Sequence, residues 1–230
     1  MAPLARLHLI TDTRPGRDAL AVVAAALSAG APLVQVRVED TATDREAYQF
    51  ATRVRELCQR HGATCLVNDR LQVALAVGAD GGHVGAEDLP VRAARRVLGP
   101  AAVLGATARD PVAARAAVTD GASYLGVGPA FATTTKRGLP DAIGPAGVRA
   151  VVAAVPEVPV IAIGGVTAAR IPEVRGAGAY GVAVVGAVSD ARDPAAATRE
   201  LLRALAPAGV ERGDVERGDV ERAGMTGGRP

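Results

Sequence analysis

The chain has 230 residues, of which 49% are hydrophobic and only 2% are aromatic. This length is enough for one sizeable core and is common among single α/β barrels. The formal net charge is +2 and there is no tryptophan. Neither a basic stripe nor an aromatic stacking surface for nucleic acid is therefore expected.

The two cysteines, Cys58 and Cys65, form neither a disulfide framework nor a metal-binding spacing, so we expect reduced, buried thiols. No apolar run reaches the roughly 18 residues that a membrane-spanning helix needs. No basic-then-apolar leader precedes the first apolar segment either. These features favour a cytoplasmic protein with no membrane contact.

Short apolar runs alternate with longer alanine-rich segments along most of the chain. Eight of the runs are typical of strands, and they begin at Arg6, Leu33, Thr64, Gly81, Ala102, Tyr124, Pro159 and Gly181. The intervening segments carry helix signals, such as the capping-box spacing of Thr43 and Glu46 and the Asp110-Pro111 start. Eight strand–helix units in order predict an α/β fold, the (β/α)8 TIM barrel. A doubly wound open sheet is the alternative.

The C-terminal segment differs in composition from the rest. Residues 208–230 contain a repeat of Val, Glu, Arg, Gly and Asp followed by a glycine-rich end. The segment is too polar to bury a core. We therefore expect the barrel to occupy residues 1–207 and a disordered tail to occupy residues 208–230.

Polar residues follow the predicted strands at the point where each strand ends. All strands of a parallel barrel point the same way, so these residues are expected to share one rim, where sites are built. They are Thr11, Asp12, Gln35, Arg37, Asn68, Asp69, Asp88, Thr107, Thr133, Thr134, Thr135, Lys136, Gly164, Gly165 and Gly186. Cationic, hydroxyl, carboxylate and glycine residues together predict a phosphate-binding site beside a metal ion.

Two aspartates in neighbouring units are candidate metal ligands. Asp69 and Asp88 supply hard carboxylate oxygens, and Mg²⁺ is usually held by one or two carboxylates with substrate phosphate and water. Each could instead be the N-cap of the helix that follows it. Because the pair stands beside Asn68, the only asparagine in the chain, we favour the metal site.

The segment "ATTTKRG" contains Lys136, the only lysine in the chain. A compact ammonium group can meet a phosphate oxygen where a planar guanidinium does not fit. The alternative is a solvated loop lysine. The glycines of "IAIGGVT" and "VAVVGA" follow strands seven and eight, where such barrels commonly bind phosphate through backbone N–H groups, although tight turns also need glycine.

The three histidines are expected to have structural rather than catalytic roles. His61 lies at a helix end and is expected to be solvated, whereas His8 and His83 lie within strands and are expected to be satisfied core residues. No Ser/His/Asp order, cysteine nucleophile, zinc spacing, Walker loop or dinucleotide fingerprint occurs.

Five motifs follow one another along the chain: "QVRVED", "LVNDRLQVALAVGADGGHVGAEDLP", "YLGVGPAFATTTK", "VIAIGGVT" and "GVAVVGAV". They resemble, in the same order, the motifs of the thiamine phosphate synthase family. The resemblance spans Leu7 to Leu205. It implies a (β/α)8 barrel that uses Mg²⁺ to join 4-amino-2-methyl-5-(diphosphooxymethyl)pyrimidine to 4-methyl-5-(2-phosphooxyethyl)thiazole with release of diphosphate.

The resemblance also implies roles for individual residues. The pyrimidine diphosphate would be bound by Gln35, Arg37, Glu39, Asn68, Thr107 and Lys136, with Arg37 and Lys136 acting catalytically on the departing diphosphate. The thiazole phosphate would be bound by Thr133, Thr134, Thr135, Gly165, Val185 and Gly186. Asp69 and Asp88 would hold Mg²⁺. A homo-oligomer is left open as an alternative to a monomer.

Three positions depart from the family pattern. Glu39, Ala86 and Gly186 stand where the family usually has Lys, Gln and Ser. One positive charge near the diphosphate is thereby replaced by a negative one, and one phosphate-binding hydroxyl is absent. We expect these differences to bear on affinity and activity and to leave the fold unchanged.

Three other readings compete with the synthase. A thiazole tautomerase shares the fold, but its catalytic histidine is expected after the fifth strand, where this chain has Arg109. Another phosphate-binding barrel isomerase would use an acid/base pair, for which Asp12 and Asp69 are candidates. A non-catalytic relative that binds thiazole phosphate is the third reading, motivated by Glu39 and Gly186.

Overall fold

The computed structural model describes residues 4–133, 138 and 140–206. Eight parallel strands follow one another around a closed barrel, and the first strand pairs with both the second and the last. The strands are β1 (Leu7–Ile10), β2 (Leu33–Val36), β3 (Thr64–Asn68), β4 (Gly81–Val84), β5 (Val103–Ala108), β6 (Tyr124–Val127), β7 (Val160–Ile163) and β8 (Gly181–Val184).

Helices connect consecutive strands, as parallel pairing requires. They are α1 (Ala19–Ser28), α2 (Asp44–His61), α3 (Leu71–Ala76), α4 (Val91–Leu98), α5 (Pro111–Thr119), α6 (Gly144–Ala154), α7 (Ile171–Gly176), α8 (Gly186–Ser189) and α9 (Pro194–Leu205). A 3-10 turn, Ala168–Arg170, precedes α7. Among these described helices, none is long and apolar enough to cross a membrane.

The helix ends follow the signals in the sequence. Thr43 caps α2 in a reciprocal capping box with Glu46. Gly62 ends the same helix in the left-handed conformation, which glycine adopts without a Cβ penalty. Asp110 caps α5 through the backbone N–H groups of two residues in its first turn. These local signals place the helix ends and therefore the strand exits.

The buried residues form two hydrophobic clusters. The smaller one is inside the barrel and consists of Ile10, Leu33, Leu66, Tyr124, Ile161 and Ala183. The larger one lies between the barrel and its helices and draws on every helix. Because side chains alternate along a strand, Leu33 and Gln35 of β2 share the inner face, and so do Leu66 and Asn68 of β3. The polar member of each pair is nearer the strand exit.

The predicted (β/α)8 barrel is confirmed, and all eight predicted strands are present. The pairing of β1 with β8 closes the sheet and excludes the doubly wound alternative. One element was not predicted: α8 begins at Gly186, one residue beyond the end of β8, and is a separate short helix before α9. The predicted tail, residues 208–230, lies outside the described residues, so its disorder and the domain boundary at 207 stay predictions.

Candidate functional site at the carboxyl end of the barrel

The exits of β1 and β2 are joined through the hydroxyl of Thr11. Thr11 Oγ1 donates to the carbonyl of Arg37 at 2.6 Å, and the Arg37 N–H donates to the same oxygen at 2.8 Å. One buried hydroxyl thus satisfies two backbone groups just beyond the end of β2. This pair of bonds fixes the backbone of Arg37, the residue that the sequence analysis assigns to the diphosphate.

Gln35 and Asn68 form an amide pair inside the mouth of the barrel. Gln35 Nε2 donates to Asn68 Oδ1 at 2.8 Å, and Gln35 is 4% exposed. Because one N–H and one carbonyl are used in this bond, the Asn68 NH₂ group and the Gln35 carbonyl remain to meet a ligand. A donor beside an acceptor complements the edge of an aminopyrimidine.

The Arg37 guanidinium lies between two acidic side chains without a close ion pair to either. Nη1 is 4.0 Å from Glu39 Oε1, and Nη2 is 3.9 Å from Asp40 Oδ1. Contacts of this length at a partly exposed site contribute little to stability. The guanidinium can therefore turn toward an anionic ligand at small cost.

Asp69 follows directly after β3 in an unusual backbone conformation. Its φ is 61°, the only positive φ of a non-glycine residue within the described part of the chain. The Asp69 N–H donates to the His83 carbonyl at 2.8 Å, which continues the β3–β4 ladder by one residue. Left-handed backbone at a non-glycine residue is uncommon and concentrates at functional sites.

Asp88 lies in the loop after β4, the strand next to β3. Its Oδ2 accepts a hydrogen bond from the Gly85 N–H at 2.6 Å. A Cβ at position 85 would lie 2.8 Å from that oxygen, so glycine leaves room for the carboxylate.

Neither aspartate is a helix N-cap, because Arg70 precedes α3 and Pro90 precedes α4. The alternative interpretation, in which Asp69 and Asp88 are the N-caps of the helices that follow them, is therefore wrong. Their oxygens suit Mg²⁺ as a donor set of two carboxylates. A cluster of three or more His, Cys, Asp or Glu side chains that could hold a metal does not occur among residues 4–133, 138 and 140–206.

Thr107, near the end of β5, belongs to a chain of polar side chains inside the barrel. His83 Nε2 is 3.0 Å from Thr107 Oγ1, and His83 Nδ1 is 3.0 Å from the Tyr124 hydroxyl. Burial lowers the pKa of His83 from its usual 6.5 to about 4 and raises the pKa of Tyr124. The imidazole is therefore neutral at physiological pH.

His8 lies against the other side of Tyr124, with the two rings edge to face at 5.1 Å between centroids. Its Nε2 is 3.0 Å from the Ala5 carbonyl, but its buried Nδ1 has no hydrogen-bond partner among the residues that the structure describes. The expectation of satisfied core histidines is thus confirmed for His83 and wrong for one nitrogen of His8.

The glycines after β7 support the loop that follows β6. Phe131 N–H donates to the Gly164 carbonyl at 3.0 Å, and a Cβ at Gly165 would lie 2.5 Å from the Ala132 carbonyl oxygen. Gly165 has a φ of 62°, so conformation and space both require glycine there. Arg170 donates to the Gly165 carbonyl at 2.8 Å and stacks over the Phe131 ring.

The loop from β6 ends, for the described residues, at the partly buried Thr133. The predicted site residues Thr134, Thr135 and Lys136 lie outside the described residues. Their assignment to the two phosphate groups stays a prediction.

At the exit of β8, Val185 immediately precedes α8 and Gly186 is the first residue of that helix. The helix ends at Ser189, whose hydroxyl donates to Asp12 Oδ2 at 3.2 Å. Arg14 donates to both oxygens of Asp12 at 2.6 and 2.8 Å. This pairing holds the pKa of Asp12 below its usual value. Asp12 therefore stays ionised and paired with Arg14, which disfavours it as the acid/base group of an isomerase.

Arg109 follows β5, where a tautomerase is expected to have its histidine. Its Nε donates to the Gly128 carbonyl at 3.2 Å, and its Nη2 donates to the Asp141 carbonyl at 2.6 Å. It therefore ties together both ends of the segment between β6 and α6. This role is structural, and a guanidinium cannot act as a base at neutral pH.

The fold thus brings many of the predicted residues to one end of the barrel: Gln35, Arg37, Glu39, Asn68, Asp69, Asp88, Thr107, Thr133, Gly165, Val185 and Gly186. Two contacts were not predicted from the sequence: Tyr124 is a polar partner of His83, and Arg170 supports Gly165. The histidine in "GGHVG", preceded by two glycines, was the one available signal for the first of these.

A closed parallel barrel whose strand exits carry carboxylates, amides, hydroxyls and glycines defines the class: a (β/α)8 barrel with its candidate site at the carboxyl ends of the strands. The sequence profile described as thiamine monophosphate synthase matches residues 7–188. The chain therefore belongs to the thiamine monophosphate synthase family.

Individual relatives agree with this family. The thiamine-phosphate synthase of Salinispora arenicola is 68% identical over 207 residues, which cover 89% of this chain and 99% of that protein. The thiamine-phosphate synthase of Haloquadratum walsbyi is 46% identical over 89% of this chain and 92% of that protein.

Among solved structures, thiamine phosphate pyrophosphorylase from Pyrococcus furiosus is 37% identical with a TM-score of 0.79. The match covers 87% of this chain and 95% of that chain. A 3-hexulose-6-phosphate synthase with a TM-score of 0.62 is 20% identical and shares the fold alone.

Proposed function

We propose that this chain is a thiamine-phosphate synthase. It joins the pyrimidine diphosphate to the thiazole phosphate and releases diphosphate. The observation that carries the proposal is that the described residues of the family motifs follow the strands of one closed parallel barrel and so share one rim, with the Gln35–Asn68 amide pair beside Asp69. Substrates of this kind are small phosphorylated molecules, and we expect a cytoplasmic location for the enzyme.

In this proposal the amide pair recognises the pyrimidine. The Asn68 NH₂ donates to a ring nitrogen, and the Gln35 carbonyl accepts from the exocyclic amino group. The bond between the two side chains is buried, so it orients both amides before the substrate arrives and reduces the entropy lost on binding.

Asp69 and Asp88 would hold Mg²⁺ beside the diphosphate. When bound, the ion neutralises negative charge on the diphosphate and makes it a better leaving group. Asp69 is held at a fixed point by its backbone bond to His83, and Asp88 by its bond to Gly85. The backbone of Asp69 and the carboxylate of Asp88 are thus both positioned before binding.

The reaction breaks the C–O bond between the pyrimidinylmethyl carbon and the diphosphate, and the electron pair leaves with diphosphate. The thiazole nitrogen then supplies the pair for the new C–N bond. Arg37, together with Lys136 as predicted from the sequence, meets the charge that grows on the leaving group. No protein base is needed for this reaction, which agrees with the pairing of Asp12 with Arg14.

The test is a reaction of the purified full chain with both substrates and Mg²⁺, with thiamine phosphate detected by mass spectrometry. We expect product only when both substrates are present. Tight binding of the thiazole phosphate by calorimetry with no product would instead support a non-catalytic relative. Isomerisation of the thiazole phosphate alone would support a tautomerase.

A further inference from the structure

Three polar side chains form a continuous hydrogen-bonded column that leads from the barrel interior toward its mouth. Tyr124 of β6 and His83 of β4 are buried, and Thr107 of β5 is partly exposed at the upper end. The two successive bonds are each 3.0 Å long. In this column only Thr107 can reach a ligand at the mouth.

Two inward-facing positions of the barrel, Gly105 and Gly126, have no side chain, which leaves space for this column. A Cβ at Gly105 would lie 2.2 Å from the Tyr124 ring and 2.3 Å from His83 Nδ1. A Cβ at Gly126 would lie 3.0 Å from His83 Cε1. Neither glycine has a positive φ, so space and not backbone conformation excludes a side chain. Barrel interiors normally use bulky side chains at such positions, so the column replaces apolar packing.

The direction of the hydrogen bonds in the column follows from counting donors. The Tyr124 hydroxyl is buried, and within the described residues its hydrogen-bond partner is His83 Nδ1. A buried hydroxyl hydrogen is costly to leave unpaired, so Tyr124 donates and Nδ1 accepts. A neutral imidazole then carries its single hydrogen on Nε2, and that N–H donates to Thr107 Oγ1. A cationic ring would have two donors and would leave the phenol hydrogen without an acceptor.

The hydroxyl hydrogen of Thr107 is consequently directed away from His83. We propose that Tyr124 and His83 are positioning residues that orient the Thr107 hydroxyl so that it donates to an acceptor atom of the pyrimidine diphosphate. The inference rests on the proposed function, in which Thr107 contacts that substrate. It adds His83, which was expected to be a core residue, and Tyr124, which was predicted only as the start of a strand, and it gives the bond a direction.

The direction can be read in the resting protein by ¹⁵N NMR of its histidines. The chain has only three histidines, so loss of one signal in His83→Gln assigns the ring. We expect His83 of the unaltered protein to be protonated at Nε2 and bare at Nδ1. Protonation at Nδ1 would overturn the proposal, and this measurement needs neither substrate nor activity.

The consequence for binding can be measured by calorimetry with the pyrimidine diphosphate and Mg²⁺. His83→Met removes the donor to Thr107, and we expect about five- to tenfold weaker binding, the usual effect of one lost hydrogen bond. His83→Gln keeps a donor near the Nε2 position and should restore most of the affinity. His8→Met makes the same replacement on the far side of Tyr124, and we expect less than a twofold change.

A double-mutant cycle separates positioning from general damage. Thr107→Val removes the hydroxyl, so adding His83→Met should weaken binding no further, and the affinity for thiazole phosphate should be unchanged in every variant. Additive losses, or equal losses for both substrates, would contradict the proposal. Absence of thiamine phosphate formation by the unaltered chain would instead contradict the proposed function, and the NMR result would still stand.

Discussion

At the scale of single residues, the site combines groups that the sequence identifies with groups that only the fold connects. Asn68, Asp69 and Asp88 stand out in the sequence because rare or charged residues follow apolar runs. The pairing of Asn68 with Gln35 and of His83 with Tyr124 could not be read from it, since the partners are separated by 33 and 41 residues. Aspartate adopts left-handed backbone more often than most residues, but the sequence does not distinguish Asp69 in this respect from the other aspartates.

Asp69→Asn tests the proposed role of Asp69 as a metal ligand. The change keeps the size of the side chain but removes the charge that attracts Mg²⁺, so we expect kcat/KM to fall at least about 100-fold, as for loss of one group that stabilises a leaving group. Asp110→Asn is the matched control, because Asp110 follows β5 and caps α5, and asparagine caps equally well. Equal activity of the two variants would argue against the metal site.

Glu39→Lys tests the effect of the glutamate that stands where the family usually has lysine. The Glu39 side chain is 40% exposed and its Oε1 lies 4.0 Å from Arg37 Nη1, so it places a negative charge where the diphosphate is proposed to bind. Replacing it with a positive charge should lower KM for the pyrimidine diphosphate several-fold at low salt and less at high salt. Glu157→Lys, just before β7 and thus at the opposite end of the barrel, should leave KM unchanged. A higher KM in Glu39→Lys would contradict the account.

At the scale of secondary-structure elements, the strands and their exits were predictable and α8 was not. Apolar runs of four to six residues bounded by helix caps identify β1 to β8 because a parallel barrel buries both faces of each strand. The four residues of α8 follow β8 without a side-chain cap at Val185. A helix that short has neither a periodicity nor a start signal to recognise.

Gly165→Ala tests the junction between the β6 loop and the β7 exit. An added Cβ would force the Ala132 carbonyl to move, so we expect KM for the thiazole phosphate to rise about tenfold or more along with a loss of stability. Gly62→Ala carries a similar φ of 65° with nothing within 4 Å of its Cβ. It should lose only the roughly 1–2 kcal/mol of left-handed strain and keep its KM. Matching KM values in the two variants would exclude a role for the junction.

At the scale of the whole molecule, the barrel interior makes stability depend on pH. Burial lowers the pKa values of His8 and His83 from 6.5 to about 4, so the folded state holds both rings neutral while the unfolded state binds protons below pH 6.5. Their contribution to the free energy of unfolding is fully present above pH 6.5 and is lost as the pH falls from 6.5 toward 4. Each histidine accounts for about 3 kcal/mol of this loss.

Urea unfolding at pH 7 and pH 4.5 measures this dependence. We expect a clear drop in the free energy of unfolding over that interval, and a smaller drop in His8→Met, which cannot gain a proton at that position. Asp12, whose pKa lies below its usual value, should contribute only at lower pH. A flat profile from pH 7 to 4.5 would mean that the interior histidines are hydrated or already charged in the folded state.

The central claim is that the carboxyl end of this barrel binds the pyrimidine diphosphate through a preorganised amide pair and two aspartates. A crystal structure of the full chain soaked with Mg²⁺ and the pyrimidine diphosphate tests it most directly. The account predicts the pyrimidine ring against Asn68 and Gln35, with the ion bonded to Asp69 and Asp88. Ligand density at the other end of the barrel, or an ion that touches neither aspartate, would contradict it.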